Sequence, residues 1–525
     1  MPERDDVQVA VIGFGPSGAV MANLLGQAGI STLVIDKSTE IFPKPRALAL
    51  DHEIMRLFDN LGVADQVLPY TEPFTASEHF GAEGQLIRRI DMVPPPYPMG
   101  YVPSMVFSQP PVEKVLRDHT ARWPSVEVAL GTALEKLEQD KAGVTLHLRT
   151  PDGTQRHVRA AYAIGCDGAT SLVRQSLGIE LEDLVFDEPW LVIDVMLHPE
   201  AVAKLPDTAA QYCEPARPTT YLVGPGLHRR WEIMLLPGED RFAMEDPAEI
   251  WRLLSRWITP EDGTLWRASS YRFHALVARE WRRGLVFLAG DAAHQQPPFI
   301  GQGMCQGLRD VSNLAWKLIA TLRGTADATL LDSYGVERGA HVRELTGRIK
   351  AIGHVICERD PDAARVRDAR ILAEGGGVAR TITRQDIVPP LTCGFLSKVA
   401  HPAIGTLFPQ PRVRHGAGTA LLDSVCGVGF RLFTDPASAP LSDAIVRALL
   451  QLGITPIAIG AGHIVECDGV VASWFNRHAC VAAVVRPDHY VFGISRNAQG
   501  LPGLLAELRN SLIHPKPHHA VSELT

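Results

Sequence analysis

The chain has 525 residues, 46% of them hydrophobic and 21% charged, which suits about three domains of roughly 150 residues with sizeable cores and excludes a disordered chain. A net charge of −8 argues against nucleic acid or an anionic membrane surface as the main partner. No apolar run reaches the ~18 residues of a spanning helix. The acidic start MPERDD does not read as a signal peptide, and the eight cysteines form no CxxC and no metal-ligand spacing. Reduced, mostly buried thiols, no metal and a cytoplasmic location are the expectation.

In chain order, Val7–Ile12 is a short continuous apolar run, the pattern of a strand buried on both faces. Gly13-Phe14-Gly15-Pro16-Ser17-Gly18 follows, then AVMANLLGQAG at helical spacing, then a second buried strand, Ser31–Ile35, ending in Asp36. That is a β-α-β unit. Strands are expected at Val144–Leu148 and Arg156–Ile164. A further block at Trp190–Leu197, Thr219–Val223 and Arg230–Leu236 reads as an inserted mixed or antiparallel sheet. The chain returns in a buried strand within Gly284–Gly290 and a helix over about Met304–Thr321, and a Gly/Pro-rich stretch sets a boundary between about 395 and 415. Beyond it come strands at Gly429–Phe433, Thr455–Ile459, Cys480–Val485 and Tyr490–Gly493. Helices at about Ser442–Leu452, Val470–Arg477 and Leu501–Ser511 alternate with them, in the order of a thioredoxin-like domain. The expected division is a nucleotide-binding domain from 1–180 and 270–395, ending in long helices, and a substrate-binding sheet domain over 181–269 that also receives part of 75–110. The thioredoxin-like domain takes 400–525.

Three motifs carry chemistry. In the first, Gly13 permits a tight turn, Gly15 lets backbone approach a pyrophosphate, and Gly18 allows close helix–strand packing, while the helix start offers N–H groups to phosphates. Asp36, 21 residues after Gly15, is placed to accept ribose hydroxyls, which favours FAD or NAD over NADP. An ordinary glycine-rich turn is the competing reading, and the strand, helix and acid around the motif outweigh it. In the second, Cys166-Asp167-Gly168 with Ser171 and Arg174 follows a buried strand; on its own, Asp167 reads first as a helix cap. The third is Gly290-Asp291, where Asp291 can meet sugar or ribityl hydroxyls. Pro297-Pro298-Phe299-Ile300-Gly301-Gln302-Gly303 then leads into a helix whose N–H groups can stabilise negative charge.

Taken together, the three motifs resemble the single-component (class A) flavoprotein aromatic hydroxylases over nearly the first 400 residues. Pro45-Arg46-Ala47, Arg229-Arg230-Trp231-Glu232, Pro297–Gly303, Gly307–Asp310 and Asn313–Lys317 look like the 3-(3-hydroxyphenyl)propionate hydroxylase branch. The resemblance implies an α/β fold: a Rossmann-like FAD-binding domain, an inserted mixed β-sheet substrate domain, and a C-terminal thioredoxin-like domain that is structural. It implies bound FAD, transient NADH or NADPH, O2 as co-substrate, and hydroxylation of a phenol through a C4a-hydroperoxyflavin.

By the same resemblance FAD is held by Gly13, Gly15, Pro16, Ser17, Gly18, Asp36 and Lys37, by Arg46, Gln109 and Asp167, and by Gly290, Asp291, Pro298, Gly301, Gly303 and Met304. Arg46, Pro298 and Gly301 flank the reacting ring as catalytic residues, and Arg174 supports the nucleotides. Tyr221, Arg230, Pro297 and Phe299 face the substrate, with Arg230 set equally against a solvent-facing strand residue. The base that takes the phenol's proton is unassigned: Asp51, His52, Tyr221 and His228 read as surface or packing residues and His294 as a structural partner. The favoured activity is hydroxylation of a 3-(3-hydroxyphenyl)propionate-like phenol to a catechol in aromatic degradation. A larger polyketide, biphenyl or antibiotic substrate is the alternative, and a non-catalytic FAD binder the least favoured. The partner is a small aromatic substrate, with neither nucleic acid nor membrane, and a homodimer contact is one role open to the C-terminal region.

Overall fold

The computed structural model describes residues 5–513. Strand Asp5–Ile12 sits inside a sheet because Val9–Ile12 are apolar and buried on both faces. It pairs in parallel with Gln155–Gly165 and Thr32–Asp36, and Val286–Leu288 and Val126–Leu130 extend the parallel set. An antiparallel ladder through Gly143–Arg149 and Ala133–Asp140 branches from it. Helices Pro16–Gln27 and Gly303–Leu322 share its core, and their parallel-sheet partners end at the glycine motifs. Brought together at the C-terminal ends of parallel strands, those motifs occupy the usual place for a nucleotide in an α/β sheet.

A second sheet has nine strands, in the order His294–Gln295, Gly263–Ala278, Leu181–Leu197, His228–Met234, Thr219–Val223, Ala209–Tyr212, Ser77–Phe80, Leu86–Asp91 and Arg380–Thr383. It is antiparallel except at two joins, Ala209–Tyr212 with Ser77–Phe80 and Leu86–Asp91 with Arg380–Thr383. The expected boundary between residues 269 and 270 is corrected: Gly263–Ala278 crosses it unbroken, because its ladder with Leu181–Leu197 continues to Ala278. One face of this sheet packs Leu191, Ile193, Tyr221, Trp231 and Ile233 against helix Pro247–Leu254. By strand alternation the other face carries Trp190, Val192, Asp194, Arg230, Glu232 and Met234.

The last sheet orders Ile454–Ala458, Phe430–Thr434, Ala482–Val485 and Val491–Ser495, with only the first pair parallel. Helices Asp443–Gln451 and Leu501–Ile513 cover one face and Val470–Arg477 the other. Trp316 of helix Gly303–Leu322 enters this core and meets Phe395 and Phe430 edge-on. Two buried ion clusters reinforce the join. Asp423 binds Arg56 and Arg431, and Glu337 binds Lys317, Asn313 and Arg486. All eight cysteines are unbridged; Cys467 is exposed, unlike the expected buried thiols. Among the described residues no helix is long and apolar enough to cross a membrane, and no His/Cys/Asp/Glu group is placed to hold a metal.

Candidate flavin site

The glycine motif makes a turn whose constraints are backbone against backbone. Gly13 has φ +100°, and a Cβ on it would stand 2.4 Å from the Cys166 carbonyl oxygen. A Cβ on Gly18 would stand 1.9 Å from the Gly13 oxygen. Gly15 is different. It is the cap of helix Pro16–Gln27, and a Cβ there would meet nothing within 4 Å. Its bare backbone and the unpaired first-turn N–H groups therefore border open space, which fits a pyrophosphate. Asp36 accepts the Phe14 N–H at 2.8 Å and the Ser38 N–H at 2.8 Å, so its carboxylate is fixed beside the turn with lone pairs left for a ribose. Ser17 serves packing, its Oγ wedged where a Cβ on Gly290 or Gly307 would stand at 2.8 or 2.5 Å. Lys37 is exposed at the end of that turn.

Arg46 lies on an exposed loop with its guanidinium over the Phe42 ring. The loop backbone is held from two sides. The Gln109 side-chain oxygen accepts from the N–H groups of Arg46 at 3.1 Å and Ala47 at 2.7 Å, and Arg230 donates to the Arg46 carbonyl at 2.8 Å. Gln109 thus acts on the loop, and its amide nitrogen goes to Glu113. Truncating it to alanine strands two backbone donors at about 0.5–1.5 kcal/mol each. FAD retention by Gln109→Ala, measured by equilibrium dialysis, is expected to fall about tenfold.

Asp167 is a cap, accepting Ser171 Oγ at 2.6 Å and the Val173 N–H at 3.0 Å. Arg174 donates to the carbonyls of Ala292 and Ala169, both at 3.0 Å, tying this turn to the Gly290-Asp291 turn instead of reaching a nucleotide. Asp291 is accessible within a recess between these turns. Burial pushes its carboxyl above the usual range, and the charges of His294 and Arg46 oppose that. Behind it, Asp310 accepts the Gly290 N–H at 3.0 Å, His294 at 2.7 Å and Arg338 at 2.8 Å. Burial alone would raise the Asp310 carboxyl, but His294 and Arg338 outweigh it and hold it low. His294 is therefore the structural partner the sequence reading expected.

Pro297–Gly303 arches from this recess to helix Gly303–Leu322. Gly301 has φ +61° and turns back so that its N–H meets the Pro298 carbonyl at 2.7 Å. Pro297 is buried and Pro298 half-buried. A Cβ on Gly303 would meet nothing within 4 Å, and Gly303 and Met304 stand in the first helical turn, whose N–H groups lack intrahelical partners, which suits the anionic edge of a reduced flavin. The cap residue Gln302 accepts from Arg309, which also binds Glu53 and Asp51, and Tyr490 donates to Glu53 at 3.0 Å. Sequence reasoning missed this buried cluster, because its members lie far apart in the chain.

The three expected substrate residues Tyr221, Phe299 and Arg230 each have partners within the protein. Tyr221 lies on the opposite face of its sheet, buried with its hydroxyl on the Pro206 carbonyl. Phe299 packs into a ring cluster with Phe186, Trp190 and Phe273. Arg230 is neither solvent-facing nor free: it binds Asp194 and the carbonyls of Pro45 and Arg46. Of the base candidates, Asp51 caps helix His52–Leu61 and His228 binds Asp194 at 2.7 Å. Burial drops His52 to about 4, leaving it neutral.

A family described as FAD binding domain matches residues 6–348, and one described as HcaD C-terminal domain matches 405–511. A probable NADH-specific resorcinol 4-hydroxylase of Rhodococcus jostii (strain RHA1) is 36% identical over 517 residues, covering 96% of this chain and 95% of that one. A 3-(3-hydroxy-phenyl)propionate/3-hydroxycinnamic acid hydroxylase of Burkholderia cenocepacia (strain HI2424) is 34% identical, with 96% of each chain covered. Among solved structures, the flavin-dependent monooxygenase PieE with FAD and substrate aligns with a TM-score of 0.82 at 23% identity, covering 97% of this chain and 100% of that one. Its fold is shared with aklavinone-11 hydroxylase, at TM-score 0.79 and 24% identity over 97% of this chain and 100% of that one. With the three motifs gathered around one recess, these likenesses show that the chain belongs to the FAD-binding-domain family of flavin-dependent aromatic hydroxylases, with FAD as its cofactor.

Proposed function

We propose that this enzyme uses NADH and O2 to add one hydroxyl group to a small neutral phenol of the resorcinol kind, in aromatic degradation. The full-length 36% identity to a resorcinol 4-hydroxylase described as NADH-specific carries the reading. The balance is phenol, O2, NADH and a proton giving the hydroxylated phenol, water and NAD+. FAD, when bound, supplies the oxygen-transfer chemistry. The protein supplies the remaining work: it binds the pyrophosphate at Gly15, orients the ribityl chain at Asp291, and holds the Arg46 loop through Gln109 and Arg230. Pro297 and Pro298 then wall the ring from water, with Gly301, Gly303 and Met304 at its anionic edge. Arg230 favours a neutral substrate over a 3-(3-hydroxyphenyl)propionate, since the guanidinium that could meet a carboxylate is already committed. The nine-stranded sheet is the substrate domain, and the C-terminal unit is a thioredoxin-like domain whose role is structural.

The test is NADH and NADPH oxidation by the flavin-loaded protein with resorcinol, 3-(3-hydroxyphenyl)propionate and 2-hydroxybiphenyl, with products identified by mass. Oxidation stimulated by resorcinol and yielding a trihydroxybenzene is expected. Preference for the propionate would restore the carboxylate-bearing substrate, and flavin without any response would transfer the reading to a larger one.

A further inference from the structure

Glu232 is a buried acid with one oxygen unpartnered. Its Oε2 accepts no hydrogen bond, although the residue is only 3% exposed. Orphaned polar atoms of this kind are rare in folded proteins, because an unmet carboxylate costs several times what a neutral group does. Two arginines act on it only as charges. Arg230 gives its donors to Asp194, Pro45 and Arg46, and Arg267 gives its own to the Pro45 carbonyl and the Tyr271 hydroxyl.

Its place on the sheet says which face the side chain lies on. Strand His228–Met234 directs Arg230, Glu232 and Met234 to one face, opposite Asp194, Val192 and Trp190 of the neighbouring strand. At one end of this row Arg230 grips the Pro45–Arg46 backbone. At the other end Trp190 meets Phe299 edge-on at 5.7 Å, which brings in the Pro297–Gly303 arch. Glu232 is the acid between those two anchors, on the sheet face roofed by the loops that flank the flavin recess. Thr220, its cross-strand neighbour, is turned to Gln211 and offers it no hydrogen bond.

We propose that Glu232 is the catalytic base of the hydroxylation: its carboxylate accepts the proton of the substrate hydroxyl, leaving a phenolate whose ring carbons are the nucleophile. The O–H bond of the phenol breaks, the proton joins Glu232, and no oxidant or reductant takes part in that transfer. Burial pushes the Glu232 carboxyl up to about 7, with Asp194 adding to the effect and Arg230 and Arg267 opposing it. Tyr271 and His228 complete the titratable groups around this cluster, through Arg230 and Asp194 respectively. A carboxylate so tuned is a stronger base than an ordinary glutamate and is about half ionised at neutral pH.

The assignment rests on the phenol-hydroxylase reading, and the experiment separates the two. Flavin-loaded wild type, Glu232→Gln and Glu232→Asp are compared, with resorcinol as the probe. Turnover by Glu232→Gln is expected to fall about 10²–10⁴-fold, with partial recovery in Glu232→Asp and a rise in the variant's rate towards alkaline pH as free phenolate appears. The ultraviolet difference spectrum of bound resorcinol near pH 7 is expected to show phenolate with wild type and phenol with Glu232→Gln. An unchanged visible flavin spectrum establishes that the variant is folded and loaded. A fully active Glu232→Gln that still shows bound phenolate overturns the base. A wild type that oxidises NADH no faster with resorcinol or 3-(3-hydroxyphenyl)propionate overturns the substrate reading and the base with it.

Discussion

Replacing Asp423 with asparagine is expected to destabilise the protein by about 3–5 kcal/mol, read as a shifted urea midpoint. Asp423 accepts from Arg56 at 2.6 Å and sits between Arg56 and Arg431, all three side chains fully buried. Asparagine keeps the shape and removes the charge, so two guanidinium groups are left in the interior with neutral partners such as the carbonyls of Phe408 and Gly427 and the His489 ring. His489 cannot compensate, because burial and the two arginines outweigh Asp423 and hold it neutral. The pH dependence has a definite sign. Burial alone would raise the Asp423 carboxyl, but Arg56 and Arg431 hold it well below the usual range. Its contribution is therefore complete above its unfolded pKa of about 3.9 and is lost as pH falls through the lower folded value. Wild type is expected to lose stability more steeply than Asp423→Asn between about pH 4 and pH 2, and parallel acid curves would show that the carboxylate is not ionised in the folded state.

Gly18→Ala has the second large effect, on the cofactor. The added methyl would stand 1.9 Å from the Gly13 carbonyl oxygen, and neither backbone can swing aside as a side chain could. Helix Pro16–Gln27 must shift away from strand Asp5–Ile12, carrying its N-terminus off the phosphate position. At about 1–3 kcal/mol for such overpacking, FAD affinity is expected to drop by about ten- to a hundredfold. The purified protein should be nearly colourless while its circular dichroism is retained. Full flavin content would mean that the turn is free to relax.

How much of this was legible follows from how far apart the cooperating residues lie. The glycine motif was readable because most of its constraints are local: Gly18 and Asp36 act within one β-α-β unit, as does the positive φ of Gly13, and only the approach of Gly13 to the Cys166 carbonyl is long-range. The sheet boundary was misplaced because Gly263–Ala278 is half exposed and studded with arginines and serines, so no apolar run marks it. The partners of Tyr221 and Arg230 were not legible for a different reason. Alternation along a strand is visible, but which face turns towards the flavin depends on register, and a one-residue slip exchanges the faces. The partner that occupies Arg230 is 36 residues away, and the loop that Gln109 holds is 63 residues away. Glu232 stood within a quoted motif, yet nothing in the sequence distinguishes an orphaned buried acid from a paired one.

Order of synthesis gives the C-terminal join a further meaning. Tyr490 completes the Glu53–Arg309–Gln302 cluster beneath the helix that caps the flavin, and Arg486 completes the pairing of Glu337. A nascent chain that has exposed the whole β-α-β unit but not residues 486–490 carries Glu337 and Arg309 without those partners. Domains generally fold as they emerge from the ribosome, N-terminal first. Here the flavin-binding half lacks those two partners until residues 486–490 have emerged, so its full set of buried pairings is completed late in synthesis.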